Sequence, residues 1–207
     1  MKRLVMLMIM GILLTGSVAY DNSPTEIQAE TVKESESKPW INAYESKLKK
    51  LNKENEGYTY QLIYVNKDKI PELVVNDKTN YNCDVSLYTY GKGKVRTVMD
   101  RWMYGQAGAL SYLYIPKKNV IYSDGSSGAG REHYESYMMM KNYKIVDKYK
   151  ELLSSSTYDG KHFTYYYGDK KISKKKYESY QIKGKYEVIE GKYTYKQMMR
   201  KLKQMKG

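Results

Sequence analysis

The chain has one cysteine, Cys83, in 207 residues, so no intrachain disulfide can form. That thiol reads either as a small apolar side chain in a strand or as a lone nucleophile, and no neighbouring histidine pairs with it. Histidine is nearly as scarce: His133 and His162 are the only two. Neither a His-x-x-x-His nor a Cys-x-x-Cys spacing occurs, so nothing supports a zinc enzyme. After Leu14 no apolar run approaches the ~20 residues that a transmembrane helix requires. Among aromatics, Phe occurs once and Trp twice, against 25 tyrosines. A tyrosine can bury its ring and leave its hydroxyl wet, so a core built from it should be thin, on many half-exposed strands.

Acidic residues are also in deficit. Lys and Arg total 36 against 23 Asp and Glu, a formal net charge of +13. The excess gathers at the end: residues 168–207 hold thirteen cations and four acids, a net of +9. Such a face fits anionic partners such as wall polymers, lipid headgroups or nucleic acid, or it is simply a solvated lysine surface. Lysine runs with little arginine, and with no aromatic RNA-binding signature, give no specific nucleic-acid signal.

The first nineteen residues read as a secretory signal peptide. Lys2 and Arg3 form a positive start, residues 4–14 are apolar but short, and Ser17-Val18-Ala19 is a small-x-small cleavage signature before Tyr20. Leu14-Thr15-Gly16-Ser17 resembles a lipoprotein lipobox with Ser17 where the lipid-bearing cysteine belongs, so the expectation is a cleaved product, secreted or associated with the cell surface, without a lipid anchor. Residues 20–37 are polar and acidic and bury too little to offset the entropy of ordering, so they read as a flexible spacer. Residues 38–207 are expected to form a single α+β domain.

Within that domain, residues 38–52 carry Trp40, Ile41, Tyr44, Leu48 and Leu51 at helical spacing, with Ser37 as the expected cap and Pro39 in the first turn. From Tyr58 the period changes to two. Strands are expected at 58–64 and 72–75, then three hairpins: 85–90 with 95–99 around Gly91-Lys92-Gly93-Lys94, 112–115 with 120–122 around Pro116-Lys117-Lys118-Asn119, and 134–140 with 143–149 near Lys141-Asn142. A further strand falls at 162–167. A short helix follows at 173–180 with Ser173 as cap, and a last one with Thr194 as cap and Tyr195, Met198, Met199, Leu202 and Met205 as its apolar stripe. The expected architecture is an antiparallel β-sheet of successive hairpins, with the N-terminal helix and the C-terminal helices packed on it.

Residues 58–75, YTYQLIYVNKDKIPELVV, resemble a motif of exported proteins and lipoproteins of gut Firmicutes, Tyr-x-Leu-x-Tyr-Ile-Asp-x-Asp-x-Ile-Pro-Glu-Leu. The Tyr-Thr-Tyr-Gly hairpin at 88–91, the Gly-rich turn at 125–130 and KISKKKY at 171–177 are similar to later elements of that family, so the resemblance spans roughly residues 39–180. The family is mostly of unknown function; the resemblance implies fold class and location, not chemistry. The motif itself looks like a degenerate calcium loop. Asn66 and Asp68 fall on ligand positions and Glu72 on the closing one, while Tyr64 replaces the first ligand and Lys69 the glycine. Calcium takes 6–8 oxygens, and this loop offers few. The other reading is that Asn66 and Asp68 bond the turn's own backbone while Pro71 fixes the entry to the next strand. No other cofactor is implied.

Three segments invite a test for catalysis. Gly125-Ser126-Ser127-Gly128-Ala129 faintly resembles a nucleophile elbow, which needs a strand before it and a helix after it; the residues that follow read as strand. Asp124, Arg131, His133 and Tyr134 form the candidate binding surface, with Glu132 facing away from His133 if the segment is a strand. Asp124 and Glu132 are the one carboxylate pair to nominate for a hydrolase. His162 stands in a separate turn. Trp40, Tyr104, Tyr112, Tyr114 and Tyr134 are either ligand-stacking rings or core. The favoured reading is an exported, non-catalytic binding protein for an anionic or carbohydrate polymer. The alternative is an exported hydrolase of wall or host polymers.

Overall fold

The computed structural model describes residues 38–77, 84–103, 111–127 and 129–206. The export segment, the spacer, Ser37, Cys83, Tyr104 and Gly128 lie outside the described residues.

Helix α1, Pro39–Glu54, buries Trp40, Ile41, Tyr44, Leu48 and Leu51, the stripe that the spacing marks out. Its N-cap is Lys38 rather than the expected Ser37, and Lys38 makes no side-chain cap bond. The reason is Pro39 at the first helical position: a residue before proline is pushed out of the α region, and Lys38 sits at φ −99°, ψ 76°.

Strands β1 (Tyr58–Ile63), β2 (Glu72–Asp77), β3 (Asp84–Gly91) and β4 (Lys94–Trp102) form an antiparallel meander in chain order. A second antiparallel sheet follows from β5 (Ser111–Ile115), β6 (Val120–Ser127), β7 (Glu132–Lys141), β8 (Lys144–Asp147), β9 (Leu152–Ser156), β10 (Phe163–Tyr167), β11 (Lys170–Ile172) and β12 (Glu187–Val188). Its order is β11-β10-β9-β7-β6-β5-β12. Strand β7 is long enough to serve two neighbours on one edge, β9 along Glu132–Glu135 and β8 along Met138–Lys141. Helices α2 (Lys174–Tyr180) and α3 (Tyr195–Gln204) are capped by Ser173 and Thr194, the latter in a reciprocal capping box with Gln197.

The α+β class and the run of hairpins match the sequence expectation, but there are two sheets, not one. They pack face to face. Ile63, Val74, Val85 and Leu87 of the first meet Tyr112, Tyr114, Ile121 and Met138 of the second. The first sheet turns its other face, through Tyr60, Leu73, Val75 and Tyr88, to α1 and α3. Covered on both sides, β2 is buried along its whole length. The second sheet's outer face is a tyrosine layer: Tyr122, Tyr137, Tyr149 and Tyr180 follow one another at ring centroids 5.0–6.4 Å apart, under α2 and the segment after it. Among the described residues no helix is long and apolar enough to cross a membrane.

Candidate functional site at the lysine-bearing turns

An antiparallel meander sends alternate turns to the same end of its sheet. In the first sheet these are residues 64–71 and 92–93; in the second, 116–119 and 142–143. Short bonds tie the four into one surface. The Lys117 and Asn119 N–H groups donate to the carbonyls of Tyr64 and Val65, at 2.8 and 2.7 Å. The Asn119 side chain clasps the Met140 backbone from both ends, at 2.9 and 3.0 Å. Tyr143 reaches the opposite sheet, where its ring lies against Gly91 so closely that a Cβ there would stand 2.0 Å from Cε1. The Arg96 guanidinium sits 4.7 Å from the centroid of the same ring and donates from Nε to the Gly91 carbonyl at 3.1 Å.

Every one of these turns carries exposed cations. They are Lys67 and Lys69 in the first, Lys92 with Lys94 after it, Lys117 and Lys118, and Lys141 with Lys144 flanking the last. Asp68 is the one acid among them. Between the turns opens a cleft of 490 Å³ lined by Asn66, Asp68, Thr89, Lys92, Arg96, Met140, Asn142 and Tyr143. Its backbone is strained. Asn142 and Tyr143 stand at φ 51° and 63°, the pair of left-handed residues of a tight hairpin turn that ordinarily takes Asn-Gly. A tyrosine in that position is held at a cost of order 1–2 kcal/mol, and such residues concentrate where a side chain is needed for function.

The calcium-like loop forms one wall of this cleft. Asn66 Oδ1 accepts the Asp68 N–H at 2.8 Å, and Asp68 Oδ1 accepts the Ile70 N–H at 2.9 Å. Lys69 adopts φ 67° where a calcium loop carries glycine, so the turn keeps its course with its ligand oxygens turned to its own backbone. Glu72 closes the loop: Oε2 accepts the Val65 N–H at 2.9 Å, and Oε1 accepts from Asn66 Nδ2 and Thr89 Oγ1, each at 3.3 Å. Glu72 is fully buried, and that burial raises its carboxyl to about 7 even though Val65 and Thr89 pull it down. Among the described residues no group of three or more His, Cys, Asp or Glu could hold a metal ion.

The other nominated residues do not make one surface. Along β7, His133 and Glu135 share a face, with Asp124 opposite Glu135 on β6. Tyr134 and Glu132 point to the other side, where the Tyr134 hydroxyl donates to Glu132 Oε2 at 2.7 Å. Asp124 and Glu132, nominated as a catalytic pair, are therefore on opposite faces of the sheet. Arg131 stands in the turn before β7, with its guanidinium 5.6 Å from the Tyr158 ring. The acid beside His133 is Glu135, at 3.6 Å, and its oxygens are already occupied by the Tyr137 and Tyr177 hydroxyls and Gln181 Nε2, all at 2.9 Å. Burial, then the Glu135 charge, raises the Tyr137 hydroxyl well above its ordinary range. This cluster ties the segment around α2 to the sheet. The elbow-like serines lie between two strands, β6 and β7, so no elbow forms. Trp40, Tyr112 and Tyr114 are core. His162 is exposed, and its N–H donates to Thr157 Oγ1. The C-terminal cations Lys196, Arg200 and Lys203 border a second, shallow groove with Lys49 on α1.

The chain matches no family model, no curated protein and no solved structure. Lys92, Arg96, Lys117 and Tyr143 entered the sequence reading only as parts of turns and strands. The signal that marks them is the recurrence of lysine in alternate turns of a meander.

Proposed function

We propose that the chain is an exported, non-catalytic binding protein that holds an anionic polymer at the end of the sandwich where the four lysine-bearing turns meet. One observation carries this reading: eight exposed lysines from sequence-distant turns converge around a strained, polar cleft with a single acid, Asp68. Turns on a rigid β scaffold can hold charges in a fixed array, and a concentration of one sign raises the local density of oppositely charged ligand. Lysines merely solvating the surface would need neither the strained Tyr143 nor the contacts that lock the turns together.

The test is a titration of the secreted protein with a polyanion, galacturonate oligomers, at several salt concentrations. Lys92→Glu combined with Lys117→Glu should weaken binding more than tenfold and flatten its salt dependence. Lys196→Glu combined with Arg200→Glu, on α3, should leave binding nearly unchanged. Loss with the α3 pair and not with the turn pair would move the site to the helices and refute the assignment. Export is checked separately, by the mass of the secreted form, expected to begin at Tyr20.

A further inference from the structure

The cleft does not stand alone. Tyr64, two residues before Asn66 on the same strand exit, also lines a neighbouring groove of 310 Å³ between β1 and α3, with Leu62, Tyr193, Lys201 and Met205. At each stage of this path a tyrosine ring and a cation are paired. Arg96 lies 4.7 Å from the Tyr143 centroid in the cleft, Lys117 Nζ is 5.7 Å from Tyr64 at the junction, and Lys201 Nζ is 4.3 Å from Tyr193 in the groove. All three rings are half-buried, so each is fixed by packing while part of it meets solvent. The backbone bond from the Lys117 N–H to the Tyr64 carbonyl fixes the junction, and the paired bonds between Tyr60 and Tyr193 fix the floor of the groove to the edge of β1.

Resting on the anionic-polymer reading above, we propose that cleft and groove form one continuous track and that its ligand is an acidic polysaccharide. A path on which apolar ring surface alternates with positive charge complements a chain that alternates in the same way. Each uronate residue offers an apolar C–H face and one carboxylate, which suit a tyrosine and the cation beside it. Polyphosphate carries charge at every unit and no apolar face; the lysines of the turns alone would satisfy it, and the rings and the apolar Leu62 and Met205 would go unused.

Calorimetric titration of the full secreted protein with galacturonate oligomers of increasing length, and with polyphosphate of matched charge, decides the matter. The expected result is affinity that rises with oligomer length. Lys92→Glu should weaken short and long oligomers alike, whereas Lys201→Glu should weaken the long ones alone, by about fivefold, the scale of one exposed charge contact. If Lys201→Glu leaves the long oligomers unaffected, the track is overturned and the cleft stands by itself. If polyphosphate binds as tightly as galacturonate, the polysaccharide assignment falls while the basic turns remain the site. If neither polymer binds, the parent reading fails with it.

Discussion

Replacing Glu72 with glutamine should remove a pH dependence from both stability and binding. The carboxyl is buried to 0% exposure beneath the cleft, and its burial raises it from an ordinary 4.5 to about 7. The folded protein therefore holds this proton more tightly than the unfolded chain does. Stability contributed by the group is full below about pH 4.5, falls as the pH rises to about 7, and is flat above that. The gap corresponds to about 3 kcal/mol at most, taking 1.36 kcal/mol for each pH unit. Glutamine cannot titrate, and its amide oxygen can still accept the Val65 N–H. The Thr89 hydroxyl can rotate to accept from the new NH2, so the pocket remains bonded. Urea unfolding of both proteins from pH 4.5 to 8 measures the difference, in which every other titrating group cancels. The parent protein should lose up to about 3 kcal/mol relative to Glu72→Gln across that window. Asn66 and Thr89 hold Glu72 and also line the cleft, so an anionic ligand should bind the parent protein less well as the carboxyl ionises, and the variant without that trend. Parallel unfolding profiles for the two proteins would refute the reasoning, because they would mean that Glu72 is already ionised throughout.

Tyr143→Gly should separate stability from binding: the turn becomes Asn-Gly, relief of about 1 kcal/mol of left-handed strain roughly offsets the loss of the Arg96 contact, and affinity for galacturonate oligomers drops. Equal losses in urea unfolding and in titration would contradict it. Gly191→Ala should destabilise by about 2–3 kcal/mol, since its Cβ would stand 2.3 Å from the Thr59 carbonyl oxygen, a backbone atom that cannot step aside; the urea midpoint reads this directly. Glu135→Ala should cost about 3–5 kcal/mol by leaving the Tyr137 and Tyr177 hydroxyls and the Gln181 amide without their acceptor, with hydrogen exchange rising first in α2; unchanged protection there would show that the carboxylate is no tie.

Local signals were the legible ones. Ser173 and the Thr194–Gln197 box cap the helices where their side chains promise, because a cap depends on three or four consecutive residues. The α1 stripe and the β1 alternation came through for the same reason. The second sheet was hidden because a period of two shows which residues share a face, not what covers that face. Along β2 and β3, polar residues such as Asn76, Ser86 and Thr89 are buried with the apolar ones, which blurs the signature of strands covered on both sides. Strands β9 and β11, LLSSS and KKI, were missed because they carry almost no apolar alternation and are held by backbone pairing to β10.

The site was harder to read for a different reason. Residue types that look chemical in a sequence, such as Asp68, Glu72, Glu135 and His133, have their oxygens and ring nitrogen drawn toward nearby donors and acids, because an isolated carboxylate or amide cannot be buried without partners. Lysines behave in the opposite way. A lysine in a turn looks bland because it is solvated wherever it falls, and only topology decides whether several such turns meet. Here two meanders with lysine in alternate turns are stacked so that those turns share an end, and Tyr143 crosses between the sheets to lock them. The array therefore depends on the register of two hairpins more than on any single side chain. A shift of one residue at Asn142–Tyr143 would turn the ring away from Gly91 and separate the turn lysines, leaving each strand's own pairing intact.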